Sequence, residues 1–331
     1  MKIIKSYYEH YDQVREIRDL GKYDKDMFIS CSEDMNIKIW SAVEDASLKT
    51  IKFNCQINWI EHLYNLNKAY ISVSLINTIL IMNFEKLKVV KIIDLQEPLV
   101  KEHSNPRNIL EKRGLKDKMS LVDEFRLRTI GERAELEIIK GYSYNSKVSN
   151  LIYVTSMLYL SNSISYKNHL LSAEFPNNSI KLWRIDDKAF LKTKFIRKYN
   201  GHQNKINCMI LLRDQDVFAT SSNDKSIKIW NVNKDVCIHN LWNMHKENIN
   251  WILYYEDQKN ENNHFILSGG DDYVLKVIDL NKLKSPNPKE LKATNKIWRF
   301  ICLKYCKSYR FAFCDKICEK IVLLEPNIKI H

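Results

Sequence analysis

Apolar and polar residues alternate in short segments that recur along the chain, and each segment follows a cluster of turn-forming residues. Ile37-Lys38-Ile39-Trp40 and Ile227-Lys228-Ile229-Trp230 alternate with a period of two, the pattern of a strand with one face buried. Glu33-Asp34-Met35-Asn36 and Asn223-Asp224-Lys225-Ser226 stand directly before them. Asp and Asn suit tight turns because they tolerate a left-handed backbone and bond their own main chain. Upstream lie further runs rich in Ile, Val, Trp and Tyr, beginning at Val14, Ile57, Val148, Ile206, Ile249 and Ile297. Their composition predicts more strands.

These elements repeat. Residues 30–40 (SCSEDMNIKIW) align with 220–230 (TSSNDKSIKIW) and 268–278 (SGGDDYVLKVI), and weaker copies end at Trp183, Met82 and Leu324. The anchors at 40, 82, 183, 230, 278 and 324 are separated by 42, 101, 47, 48 and 46 residues. The upstream runs are separated by 43, 91, 58, 43 and 48. A period of 42–48 with several short strands per unit is that of a β-propeller blade. One gap in each series is about doubled. That leaves two counts open: seven blades with a degenerate third, which the doubling favours, or six plus an insertion.

With Gly201-His202 ahead of Trp230, Glu9-His10 ahead of Trp40, and His245 ahead of Ile278, the chain resembles the WD-repeat β-propeller family over nearly all its length except roughly residues 96–135. The Asp that usually follows the Trp is replaced by Ser41, Arg184 and Asn231, although Asp279 follows Ile278. The resemblance implies an all-β fold: a single propeller of four-stranded blades over residues 1–331. MKIIKSYY resembles the fourth strands that precede other units, so residues 2–8 are expected to complete the last blade and close the fold. Residues 101–123 are expected to form an irregular or helical excursion.

Composition narrows the chemistry. The chain has 331 residues, a formal net charge of +12 and only 7 glycines. It contains neither G-x-G-x-x-G nor G-x-x-x-x-G-K-[ST], and neither H-E-x-x-H nor G-x-S-x-G, so the common phosphate-cradling loops, the zinc-protease helix and the nucleophile elbow are excluded. The longest apolar stretch, Leu151 to Leu160, is half of what a membrane span needs, and the N-terminus lacks the features of a secretory signal. Eight cysteines without a C-x-x-C suggest a reducing, cytoplasmic setting, with association to a complex or the cytoskeleton left open. Cys302, Cys306, Cys314 and Cys318 are spaced C-x3-C-x7-C-x3-C. They are read as buried small hydrophobes rather than zinc ligands, and no metal or cofactor is expected. Residues 281–331 hold 12 Lys/Arg against 4 Asp/Glu, a patch able to meet an acidic protein or RNA surface.

Two sets of residues could carry function. His10, Ser30, Asp34 and Trp40, and likewise His202, Thr220, Asp224 and Trp230, look like pieces of a hydrolase triad, with His245, Ser268 and Asp272 a shorter set. The resemblance assigns them instead to a buried hydrogen-bond network that ties each blade together, so the chain is read as non-catalytic. It also implies a partner-binding face at residues flanking the first apolar position of each inner strand: Gln13, Arg15, Gln56, Asn58, Lys147, Lys205, Asn207, Asn248, Asn250, Lys296 and Trp298. The residues just before the turn Asp, namely Glu33, Asn223 and Asp271, complete it. The expected function is a scaffold for protein–protein contacts in a multiprotein assembly. The alternative is a propeller that binds nucleic acid or an anionic surface through its basic C-terminal blade.

Overall fold

Because the alternating segments are joined by tight turns, each repeat folds as an antiparallel meander. The computed structural model describes residues 7–24, 26–95, 125–130, 133–138, 151–185, 194–256, 263–284, 286–292, 297–303, 310–315 and 321–324. The first blade comprises β1 (Val14–Asp19), β2 (Met27–Ser32), β3 (Asn36–Ser41) and β4 (Ser47–Lys52). The second comprises β5 (Trp59–His62), β6 (Tyr70–Leu75), β7 (Thr78–Asn83) and β8 (Lys88–Asp94). Strands β9 (Phe125–Ile130) and β10 (Arg133–Ile138) follow as a hairpin. The third blade is β11 (Tyr153–Leu160), β12 (His169–Phe175), β13 (Ser179–Arg184) and β14 (Lys194–Tyr199). The fourth is β15 (Ile206–Leu211), β16 (Val217–Ser222), β17 (Ile227–Asn231) and β18 (Cys237–Leu241). The fifth is β19 (Ile249–Glu256), β20 (His264–Gly270), β21 (Val274–Asp279) and β22 (Lys289–Lys292). A three-stranded sheet ends the chain: β23 (Ile297–Leu303), β24 (Arg310–Asp315) and β25 (Ile321–Leu324).

The chain divides into two units, residues 9–153 with 187–193, and residues 1–8 with 154–186 and 194–331. In the former the core gathers Ile29, Ile37, Ile39, Ile51 and Phe53 with Ile60, Ile71, Val73, Leu80 and Met82. Strand β7 is buried at all six positions, which explains why TILIMN reads as a continuous apolar run rather than an alternation. In the latter, Leu171, Leu182, Tyr199, Phe218 and Trp230 form the core. There the loop after β11 is held by Asp216, which accepts from Ser163 Oγ at 2.5 Å, Ile164 N at 3.0 Å and Ser165 Oγ at 2.5 Å.

Among the described residues there are five four-stranded blades and the three-stranded sheet, not the seven blades expected. The doubled gap falls beside the second blade. At the turn of the second blade, Asn77 O accepts from Leu95 N at 2.9 Å, Asn77 N donates to Ile152 O at 2.8 Å, and Asn77 Oδ1 accepts from Ile152 N at 2.6 Å. Asn77 thus bonds both Leu95, where the second blade ends, and Ile152, just before β11. EFRLRTIG and ELEIIKGY supply β9 and β10, and β10 pairs in parallel with β4 through Ala134↔Ile51 and Glu135↔Lys52. The strand expected to close the fold, apart from Tyr7 and Tyr8, and the segment 101–123 lie outside the described residues.

Candidate functional site

Four inner strands begin with an irregularity. The register shifts between Val14 and Glu16, between Ile206 and Cys208, between Ile249 and Trp251, and between Ile297 and Arg299. The extra residues are Arg15, Asn207, Asn250 and Trp298. A bulge re-aims the side chain it carries, and in Arg15, Asn207 and Asn250 it turns the residue toward the turn between the second and third strands of its own blade. Arg15 pairs with Glu33 through Nη2 and Oε1, Asn207 Nδ2 donates to Asn223 Oδ1 at 2.7 Å, and Asn250 Nδ2 donates to Asp271 Oδ1 at 3.0 Å. Three pairs expected on the partner-binding face are thus built the same way. Asn207 also donates to Ile249 O at 2.9 Å, and Asn248 to Asp271 Oδ2 at 3.1 Å.

The main chain reinforces the arrangement. Glu33 N donates to Gln13 O, Asn223 N to Lys205 O and Asp271 N to Asn248 O, at 2.9 to 3.0 Å. The last of these requires Gly270, where a Cβ would sit 2.4 Å from Asn248 O. The second blade departs. Its turn is one residue shorter, neither Leu75 nor Ile76 offers a side-chain acceptor, and Asn58 Nδ2 is buried with no hydrogen-bond partner. Gln13, Arg15, Glu33, Asn58, Lys205, Asn207, Asn223 and Asp271 are half-buried, whereas Asn250 is buried and serves to hold Asp271. Lys296 lies outside the described residues, as do the side chain of Trp298 and the basic segment's other side chains from Ile297 onward.

Behind this edge lie the hydrogen-bond sets. His10 Nδ1 is 2.7 Å from Asp34 Oδ2 and its Nε2 is 2.7 Å from Ser30 Oγ, which also accepts from Trp40 Nε1 at 2.8 Å. In the fourth blade His202 is 2.7 Å from Asp224 Oδ2 and 2.7 Å from Thr220 Oγ1, and Trp230 Nε1 donates to Thr220 Oγ1 at 2.9 Å. In the fifth, His245 contacts Asp272 at 2.9 Å and Ser268 Oγ at 2.8 Å. One assignment satisfies every member: Trp N–H donates to the hydroxyl, the hydroxyl to Nε2, and Nδ1–H to the carboxylate. The aspartates also accept from the main chain of Tyr11, Gln203 and Lys246. Ser30, Thr220 and Ser268 are buried, which suits a structural network and denies a nucleophile access to substrate. In the third blade the hydroxyl slot belongs to Ser172, which accepts from Trp183 Nε1 at 2.8 Å. Counting ten residues back from Trp183, the spacing of Ser30 from Trp40 and of Thr220 from Trp230, reaches Ala173 instead, because the turn through Pro176-Asn177-Asn178 is one residue longer.

Burial lowers the pKa of His10, His202 and His245, outweighing the upward pull of their aspartates. Burial acts to raise Asp34, Asp224 and Asp272, but hydrogen bonds from the histidines and main-chain amides overcome it and hold all three below the ordinary carboxylate value. The relays are therefore neutral imidazoles on ionised aspartates. Among the described residues no group of three or more His, Cys, Asp or Glu could hold a metal, and no helix is long and apolar enough to cross a membrane.

One feature of the edge was not anticipated. The residue after each turn Asp, namely Met35, Lys225 and Tyr273, has φ of 66°, 67° and 64°. Met35 and Tyr273 are exposed large hydrophobics, as are Tyr11, beside His10, and Trp242, ahead of His245. The signal was available in the alignment, since these positions follow the Asp in every clear repeat.

The repeating meander, the His–hydroxyl–Trp relays and the turn aspartates resemble those of WD-repeat proteins. The model of the family described as WD domain, G-beta repeat, matches residues 1–41 and 193–231. It is similar to a probable cytosolic iron-sulfur protein assembly protein 1 of Kluyveromyces lactis, 31% identical over 75 residues, 20% of this chain and 22% of that protein. It is similar to a CCR4-associated factor 4 homolog of Vanderwaltozyma polyspora, 27% identical over 121 residues, 34% of this chain and 17% of that one. Periodic tryptophan protein 2 of Arabidopsis thaliana is 26% identical over 102 residues, 29% of this chain and 11% of that protein. The chain thus aligns with less than a quarter of the length of each relative.

Proposed function

We propose that this chain is a non-catalytic WD-repeat scaffold that holds protein partners within a multiprotein assembly, at the edge where the inner strands begin. The observation that carries this reading is the repeated pairing of a bulged inner-strand residue with the residue before the turn Asp: Arg15–Glu33, Asn207–Asn223 and Asn250–Asp271. Each pair fixes polar groups at a half-buried edge while the hydroxyls behind are consumed by the relay. Pre-ordered side chains lose little freedom on binding, so more of the contact energy survives as affinity. Exposed Tyr11 and Met35 in one unit, and Trp242 and Tyr273 in the other, add the aromatic and sulfur-bearing surface typical of interaction hot spots. Lys296 and Trp298 extend the proposed site, Trp298 because the bulge in β23 falls on it. The relatives' names, an assembly protein and an associated factor, agree with a role in complexes, and the first suggests the cytoplasm.

The test is affinity capture from the protein's own cells. Arg15→Ala with Glu33→Ala, and separately Asn223→Ala with Asp271→Ala, should leave circular dichroism unchanged and lose the partners. Folded variants that keep every partner would overturn the reading. A second reading, binding to RNA or another anionic surface, rests on the 12 basic against 4 acidic residues in 281–331. A steep loss of RNA binding between 50 and 200 mM salt would favour it.

A further inference from the structure

A lysine stands at the middle of the third strand in four blades, and three of the four have an acid of their own. Lys38 Nζ lies 3.1 Å from Glu9 Oε2, Lys181 Nζ 3.2 Å from Glu174 Oε2, and Lys276 Nζ 2.6 Å from Glu290 Oε1. The fourth is Lys228. It is 2% exposed, and no carboxylate among the described residues is bonded to it.

The reason is visible residue by residue. Glu9 precedes the relay histidine of the first blade; in the fourth blade that place is taken by Gly201, whose φ of 156° and 3.1 Å approach of a Cβ to Trp230 leave no room for a side chain. Glu174 ends the second strand of the third blade, where the fourth has Ser222. Glu290 faces Lys276 across the ladder, where Asn240 faces Lys228. The carboxamide Oδ1 of Asn240 is itself buried and makes no hydrogen bond. Burial lowers the pKa of Lys228, and Cys237 and then Asp224 pull it upward from a distance, but Cys237 is a thiol and Asp224 is bonded to His202, Gln203 N and Ser226.

The remaining contact is Trp242, whose ring centroid lies 4.1 Å from Lys228 Nζ. A π face offsets only part of the desolvation of an ammonium, and a buried charge without a counter-ion is unfavourable. Trp242 is 48% exposed and Asn243, next to it, has φ of 54°. The cover over the lysine is thus one partly exposed side chain on a turn, not a layer of core.

We propose that Lys228 is the centre of a carboxylate-binding site on the fourth blade, with Trp242 as its cover. The occupant supplies from outside the acid that Glu9, Glu174 and Glu290 supply from within in the other blades. A carboxylate rather than a phosphate fits, because one ammonium and no arginine or helix N-terminus faces the site, and the internal counterparts are all carboxylates. The source is either a small carboxylate or an acidic side chain of a polypeptide. Both present the same group to Lys228.

The test uses the full chain. Its melting temperature and Trp fluorescence are followed in sodium acetate, in sodium phosphate and with a hexaglutamate peptide, each against sodium chloride at equal ionic strength. Binding to the folded state at tenfold excess over Kd should raise the melting temperature by about 2 °C. Acetate alone identifies a small-carboxylate site, and a response at far lower peptide concentration identifies an acidic polypeptide. Lys228→Met should abolish the response. Asn240→Glu, which copies Glu290 of the fifth blade, should abolish it too while melting higher than the parent in chloride, and it decides the matter if Lys228→Met fails to fold. An equal rise in Lys228→Met and the parent, no rise with either carboxylate, or a rise with phosphate alone would overturn the proposal.

Discussion

Thr220→Val tests the energetic reading of the relay in its strongest form. The two side chains are nearly isosteric and Thr220 is completely buried, so the change removes one oxygen without opening a cavity. That oxygen accepts from Trp230 Nε1 at 2.9 Å and bonds His202 Nε2 at 2.7 Å. Both partners are buried, and neither Trp230 Nε1 nor His202 Nε2 has another partner within the relay. Leaving a buried polar group unsatisfied costs about 1–3 kcal/mol, so two orphans should cost about 2–5 kcal/mol. The fifth blade supplies the control, because Ile278 stands where Trp would be. Ser268→Ala strands only His245 Nε2 and should cost about 1–3 kcal/mol, to which the small lost hydroxyl volume adds little. The assay is urea unfolding at pH 7.5 followed by Trp fluorescence and circular dichroism together, with the m-value checked for constancy. Thr220→Val costing under 0.5 kcal/mol, or less than Ser268→Ala, would refute the idea that the hydroxyl couples the tryptophan to the histidine.

Acidification should destabilise in two stages. Because the folded-state pKa of His10, His202 and His245 is lowered from 6.5, the unfolded chain binds protons first as pH falls below about 6.5; the depressed aspartates add a second loss below about pH 4. A urea midpoint that rose between pH 7.5 and 5.5 would contradict this. Replacing residues 97–123 by a short Gly-Ser linker should keep the melting temperature within about 2 °C, since loop length changes closure entropy only slowly and β9, β10 and their pairing with β4 are kept. Loss of cooperative melting would mean the segment is part of the framework. Gly270→Ala should cost about 1–3 kcal/mol, because its Cβ would overlap Asn248 O and overpacking against main chain cannot relax cheaply; a neutral result in thermal melting would contradict the close approach.

What could be read in advance follows from which interactions are local. Ile37–Trp40 and Ile227–Trp230 announced strands because alternation is a property of the strand alone, and the turn aspartates announced themselves because each accepts from the main-chain amide two residues on. The slot of Ser172 was misread because it depends on how many residues the turn spends, which composition does not fix. The blade count was not legible because an insertion of about one period has the same spacing as a degenerate repeat, and contacts such as that of Asn77 with Ile152, 75 residues away, are not local. The pairs at the binding edge were half legible. Their residues were identified, but that a bulge aims Arg15, Asn207 and Asn250 back at their own turns is a matter of register between strands.

The central claim is that partners engage the edge where the inner strands begin and not the buried relays behind it. Hydroxyl-radical footprinting of the captured complex against the free chain measures this directly. The account predicts that Tyr11, Met35, Trp242 and Tyr273 lose reactivity on partner binding while Trp40 and Trp230 stay unreactive in both states. Unchanged reactivity at all four exposed residues, with protection elsewhere on the chain, would contradict it.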